Sequence, residues 1–148
     1  MDIALDWTVL IDLRSAPVQF PPHILVTLER PDIVIYSSIL SVVIMIELTS
    51  PAEENIEKWR KEKSTKYNMV AEYIKDGGIW KPYVFTIEVG ARGYVNNTIN
   101  KTCRILGIDS KATASLIKDA SRTAIRTSHF IWINRNNKVW RAPEMMQF

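Results

Sequence analysis

The chain has 148 residues, of which 47% are hydrophobic and 24% charged. That is the size and balance of a single soluble globular domain with a substantial core. Its longest strongly apolar run, residues 39–46, includes Ser41 and falls far short of the roughly 20 residues of a membrane helix; Asp2 and Asp6, with no basic residue ahead of the apolar positions, do not make a secretory signal. The formal charge of +3 is unevenly spread: residues 1–100 hold 10 Lys plus Arg against 13 Asp plus Glu, and residues 101–148 hold 9 against 3. An acidic part suited to cations therefore precedes a basic part suited to polyanions, or to a solvated surface.

In chain order, residues 5–13 are rich in β-formers and predict an opening strand. Asp6 and Asp12 lie within it, either as further acids near a metal or as solvent-facing carboxylates. Pro17, Pro21 and Pro22 mark a loop. His23 reads as structural, and residues 23–28 predict a short strand or extended entry. Residues 33–36 and 42–46 are β-branched runs joined by a short serine-containing connection, the pattern of a hairpin. Asp32 precedes the first run and Glu47 follows the second, so an antiparallel hairpin brings both carboxylates to one rim. Like charges held close in a partly dry site repel, and a divalent cation relieves them.

Ser50, Pro51 and the acids Glu53 and Glu54 predict a helix start, with Ser50 as cap and proline in the first turn. The helix is expected to reach about Lys75 and to end at Gly77-Gly78. Its apolar stripe is Ile56, Trp59, Tyr67, Val70 and Ile74, and Lys63 falls within that stripe. A lysine turned toward a sheet needs an anionic partner, unless it snorkels to the surface.

Residues 80–89 predict another strand, in an α/β core with a mixed sheet. Glu88 near its end reads as a third acid or as a structural carboxylate pairing Arg92. In the turn 90–93, Arg92 can hold a phosphate bidentately. Two helices follow, over 95–106 and from Asp109 or Ser110 to about Thr127, broken at Gly107. On the second, Ala112, Leu116, Ala120 and Ala124 form a packing face. Lys118, Arg122 and Arg126 form a cationic ridge that suits a nucleic-acid backbone or simply faces solvent. Residues 129–140 predict a terminal hairpin, with its tryptophans as core or dimer contacts and His129 structural. The lone Cys103 excludes an internal disulfide and favours a reducing, intracellular compartment. No nucleotide-binding glycine pattern and no nucleophile elbow is present.

The string Arg30-Pro31-Asp32-Ile33-Val34, then Glu47-Leu48-Thr49, then residues 63–67, then residues 88–94, resembles the PD-(D/E)XK nucleases. It is similar to the restriction-endonuclease-like domains found beside retroelement reverse transcriptases and in transposon-derived animal proteins. The resemblance covers roughly residues 6–95. It implies an α/β fold, a restriction-endonuclease-like mixed central sheet flanked by helices. The whole chain is then one nuclease-like domain with a core of about 5–95 and a basic helical and hairpin extension of about 96–148.

It also implies a Mg²⁺- or Mn²⁺-dependent DNA endonuclease, nuclear in a mobile-element setting and nicking target DNA. Asp32, Glu47 and the Leu48 carbonyl would be metal ligands, and Asp32, Glu47 and a lysine catalytic. The family places that lysine two residues after the second acid, where this chain has Thr49; some related nucleases move it to the following helix, which makes Lys63, or else Lys66, the candidate. Arg92, Lys118, Arg122 and Arg126 would hold DNA, with RNA as the alternative substrate. A rival expectation is a catalytically inactive member that binds nucleic acid or a protein, and a third is a homodimeric scaffold.

Overall fold

The computed structural model describes residues 5–12 and 17–137. Four strands form one sheet in the order β1 (Thr8–Ile11), β2 (Ile33–Ser37), β3 (Val42–Thr49) and β4 (Lys81–Glu88). The pairs β1/β2 and β2/β3 are antiparallel, whereas β3 and β4 are parallel. Parallel neighbours need a crossover, and the helix α1 (Ile56–Asp76) supplies it. Helices α2 (Thr98–Ile105) and α3 (Ser110–Asn134) follow. The chain is thus α/β with a mixed four-stranded sheet, as the strand and helix order predicts.

Side chains alternate across a strand, and the two sheet faces have different neighbours. Val34, Val43 and Met45 face α1, where Tyr67, Val70, Ala71 and Ile74 close the main core. Ile33, Ile35, Ile46 and Leu48 point to the other face, which α2 and α3 cover only in part, leaving an apolar cleft edged by Ile99, Cys103 and Leu116.

Several expectations are corrected. Residues 23–28 are not a strand: the Pro21 carbonyl accepts from Ile24 N at 2.9 Å and Leu25 N at 3.2 Å, making a turn over residues 22–24, and the chain then runs on to β2 without regular structure. His23 is structural, its ring against Tyr36 and Trp80. Ser50 does not cap α1. Ala91 N donates to Pro51 O, and Val89 N to Thr49 O, both at 2.9 Å, so backbone pairing with the segment after β4 keeps residues 49–51 extended. A single 3₁₀ turn, Glu53–Asn55, intervenes before α1. On that helix Trp59 is 41% exposed and leaves the buried stripe.

No hairpin occupies residues 129–137, because α3 continues to Asn134; residues 138–140 of that expectation lie outside the described residues. Elongating a formed helix costs little per residue, and Asn134 Nδ2 ties back to Phe130 O at 3.0 Å. Of the expected α3 packing face, Ala124 is buried and Leu116 and Ala120 edge the cleft, but Ala112 is exposed. Asp109 does cap α3, accepting from Ala112 N at 2.9 Å, and Gly107 has the left-handed φ of +76° that ends the preceding helix.

Candidate metal centre

The β2/β3 register pairs Ile33 with Ile46, so one step outward Asp32 stands opposite Glu47. Directly opposed residues have Cβ atoms roughly 4.5–5.5 Å apart. Both side chains share the face of Val34 and Met45, toward α1. The ladder stops here for a reason in the sequence. Pro31 falls opposite Leu48 and has no N–H to give; Asp32 Oδ2 instead accepts from Leu48 N at 2.7 Å. Because N–H and C=O of one strand residue point to the same side, the Leu48 carbonyl is also turned toward β2, opposite Pro31, which offers it no donor.

From α1, Lys63 reaches down and its Nζ lies 2.5 Å from Glu47 Oε1. Its side chain is 29% exposed and that of Glu47 6%. The lysine therefore turns inward and meets the anion its position demands, while Glu47 Oε2 is buried without a hydrogen-bond partner among the described residues. One turn further on, Tyr67 is buried, donates to Arg30 O at 3.1 Å, and has its hydroxyl pKa raised by burial and then by Glu47. Tyr67, which stripe periodicity marks as core and which closes the 63–67 string of the resemblance, is thus a neighbour of the site. Asp32 is held above the usual carboxylate range, first by desolvation and also by the charges of Glu47 and Asp12, against the Leu48 N–H and Lys63.

The arrangement suits a hard cation. Two carboxylates, one with an unpartnered buried oxygen, and a carbonyl turned to the same side are oxygen donors of the kind Mg²⁺ takes while keeping several waters. No cluster of three or more His, Cys, Asp or Glu occurs among the described residues, so any such site rests on the pair and the backbone.

The other expected residues divide. Asp12 borders the site: its backbone N donates to Asp32 O at 2.8 Å, but its carboxylate accepts from Val18 N at 2.9 Å and pairs with Arg30 Nε at 3.6 Å. Asp6 lies at the opposite end of the hairpin, where Ser37 Oγ (2.6 Å) and Ile39 N (2.9 Å) donate to it; these bonds lower its pKa. Lys66 pairs with Glu29 at 2.5 Å and does not reach Glu47. The expected Glu88–Arg92 pair is absent. Arg92 lies 3.6 Å from both Glu53 and Glu54, and its N–H donates to Glu53 Oε1 at 2.6 Å, because the 3₁₀ turn brings those acids under the 90–93 turn. Glu88 is 0% exposed, opposite Thr49 in the β3/β4 register, with both oxygens unpartnered among the described residues. Lys118, Arg122 and Arg126 are exposed along α3. Compared with known proteins, the chain matches no family model and no curated protein sequence.

Proposed function

We propose that the chain is a divalent-metal-dependent endonuclease domain that hydrolyses phosphodiester bonds in DNA. The observation that carries this reading is the convergence of Asp32 and Glu47 at one rim of the sheet, with Lys63 delivered to Glu47 from α1. Asp32, Glu47 and the Leu48 carbonyl would hold Mg²⁺ or Mn²⁺. Such an ion supplies Lewis acidity, acidifying water and offsetting charge on the scissile phosphate. Lys63 occupies in space what Thr49 does not provide in sequence, a cation beside the second acid. Once a metal shares Glu47, its ammonium is free to stabilise the negative charge that builds on the phosphate. Arg92 and the α3 ridge position the strand.

A second reading is favoured by the Lys63–Glu47 pair itself. A lysine that already neutralises the acid fits a nuclease-fold module that binds nucleic acid without cutting it. Calorimetric titration with Mn²⁺, run beside plasmid nicking for wild type and Asp32→Ala, separates the two. Metal-dependent nicking lost in the variant supports the enzyme. Salt-sensitive DNA binding with no metal uptake supports the module.

A further inference from the structure

We propose that the channel between α1 and α2, along the outer edge of β4, is the track for a nucleic-acid phosphodiester backbone. This rests on the nucleic-acid half of the functional reading and is independent of whether the chain cuts. Two concavities of about 640 and 650 Å³ meet at Lys101. The first lies between α1 and α2 over Val84, Phe85 and Thr86, and the second between α2 and the start of α3.

Their walls carry Lys58, Arg60 and Lys61 from α1 and Lys101 and Arg104 from α2, against the single acid Glu57, which pairs with Arg60 at 2.8 Å. Among the described residues Lys58, Lys61, Lys101 and Arg104 make no ion pair, and all four are exposed. Four unneutralised cations lining a concave surface attract a polyanion. The hydroxyls of Ser64, Thr86 and Thr98 and the amides of Asn97 and Asn100 add neutral donors of the kind that fix phosphates.

Two features favour a nucleic acid over an acidic peptide. Thr86 on the channel floor is the register partner of Glu47, so the channel passes one strand spacing, roughly 4.8 Å, from the Glu47 position, and both side chains face α1. The far end also leads onto the cationic ridge. Ser110 and Ala114 line the second concavity, and Lys118 and Arg122 continue the same four-residue stripe of α3. The track thus runs from the metal rim, through Lys101, to the ridge.

The test is fluorescence anisotropy in EDTA with labelled 20-nucleotide single-stranded DNA, the matching duplex and single-stranded RNA, comparing wild type, Lys61→Gln/Lys101→Gln, Lys101→Gln/Arg104→Gln and the off-track control Lys75→Gln. The channel variants should bind at least tenfold more weakly at low salt. Their slope of log K against log salt should be shallower by roughly 1.4–1.8, the loss of two phosphate contacts. Lys75→Gln, whose lysine pairs with Glu72 outside both concavities, should retain wild-type binding. Which of the three nucleic acids binds tightest identifies the ligand. Channel variants that bind like wild type, or polyglutamate competing as well as the nucleic acids, would overturn the proposal. Because the assay contains no metal and reads no cleavage, an inactive nuclease centre leaves its outcome unchanged.

Discussion

At the residue level the centre depends on how a few buried charges are compensated. Lys63 and Glu47 form a partly buried pair, so Lys63→Met strands an anion that is only 5% exposed. Breaking a fully buried pair costs roughly 3–5 kcal/mol; with the lysine partly solvated, about 1–2 kcal/mol is expected from urea unfolding. The variant should still take up Mn²⁺ in calorimetry, since Glu47 is freed, but lose nicking. Retained nicking would remove Lys63 from the mechanism. Asp32 behaves oppositely. Desolvation raises its pKa above 3.8, so its contribution to stability is present in full below pH 3.8 and is lost as pH rises through the folded value. Asp32→Asn keeps an acceptor for Leu48 N without the charge. It should therefore raise the melting temperature at pH 7, show no gain below pH 3.8, and lose metal binding. A fall at pH 7 would show that the ionised carboxylate is stabilised by the fold. Glu88→Gln should also raise the melting temperature, since an acid side chain with no exposure and no hydrogen-bond partner among the described residues is buried at a cost that a neutral amide lessens; a drop of several degrees would reveal a partner for the acid.

Asp32 and Glu47 were legible because strand alternation and hairpin direction together place them. The partner of Arg92 was not, since it depends on a 3₁₀ turn that brings Glu53 and Glu54 back across the sheet end. The same physics governs the elements. The hairpin, the α1 crossover and β4 follow from β-branched runs, helical spacing and glycine stops, all of them local signals. The start of α1 does not, because long-range pairing of residues 49–51 with 89–91 overrides a good local helix signal. How α3 docks is equally invisible in the sequence, and it turns on Gly93. That residue has φ +91°, and a Cβ there would meet Ile125 Cδ1 at 2.7 Å and Ser121 Oγ at 2.8 Å. Gly93→Ala should destabilise through backbone strain and by pushing α3 off the 90–93 turn, by about 2–3 kcal/mol. Gly78, with φ +71° and nothing within 4 Å of an added Cβ, isolates the strain, and Gly78→Ala should cost only about 1 kcal/mol. Equal losses in urea titrations of the two variants would mean that α3 does not lean on this turn.

Across the whole molecule, the charge division along the chain becomes a division in space. Four acids gather at the β2/β3 rim, where Asp12, Glu29, Asp32 and Glu47 are answered by Arg30, Lys63 and Lys66, while cations that make no ion pair among the described residues line the channel and the α3 ridge. Sequence counting reveals the imbalance but not the channel, because Lys58 and Lys61 belong to the acidic part and join Lys101 and Arg104 only once α1 and α2 flank β4. A phosphodiester drawn into that channel lies beside two carboxylates that repel it, and a divalent cation at Asp32 and Glu47 would convert that repulsion into attraction. Binding of metal and nucleic acid should then be coupled, and coupling between two ligands is reciprocal. Ca²⁺, used to occupy the site without supporting cleavage, should tighten DNA binding in anisotropy by about 5–10-fold, on the order of 1–1.4 kcal/mol. DNA should tighten Ca²⁺ binding in calorimetry by the same factor. In Asp32→Asn/Glu47→Gln the DNA affinity should be raised without Ca²⁺ and insensitive to its addition. A Ca²⁺ effect of unchanged size in that double variant would place the cation elsewhere on the molecule and separate the rim from the track.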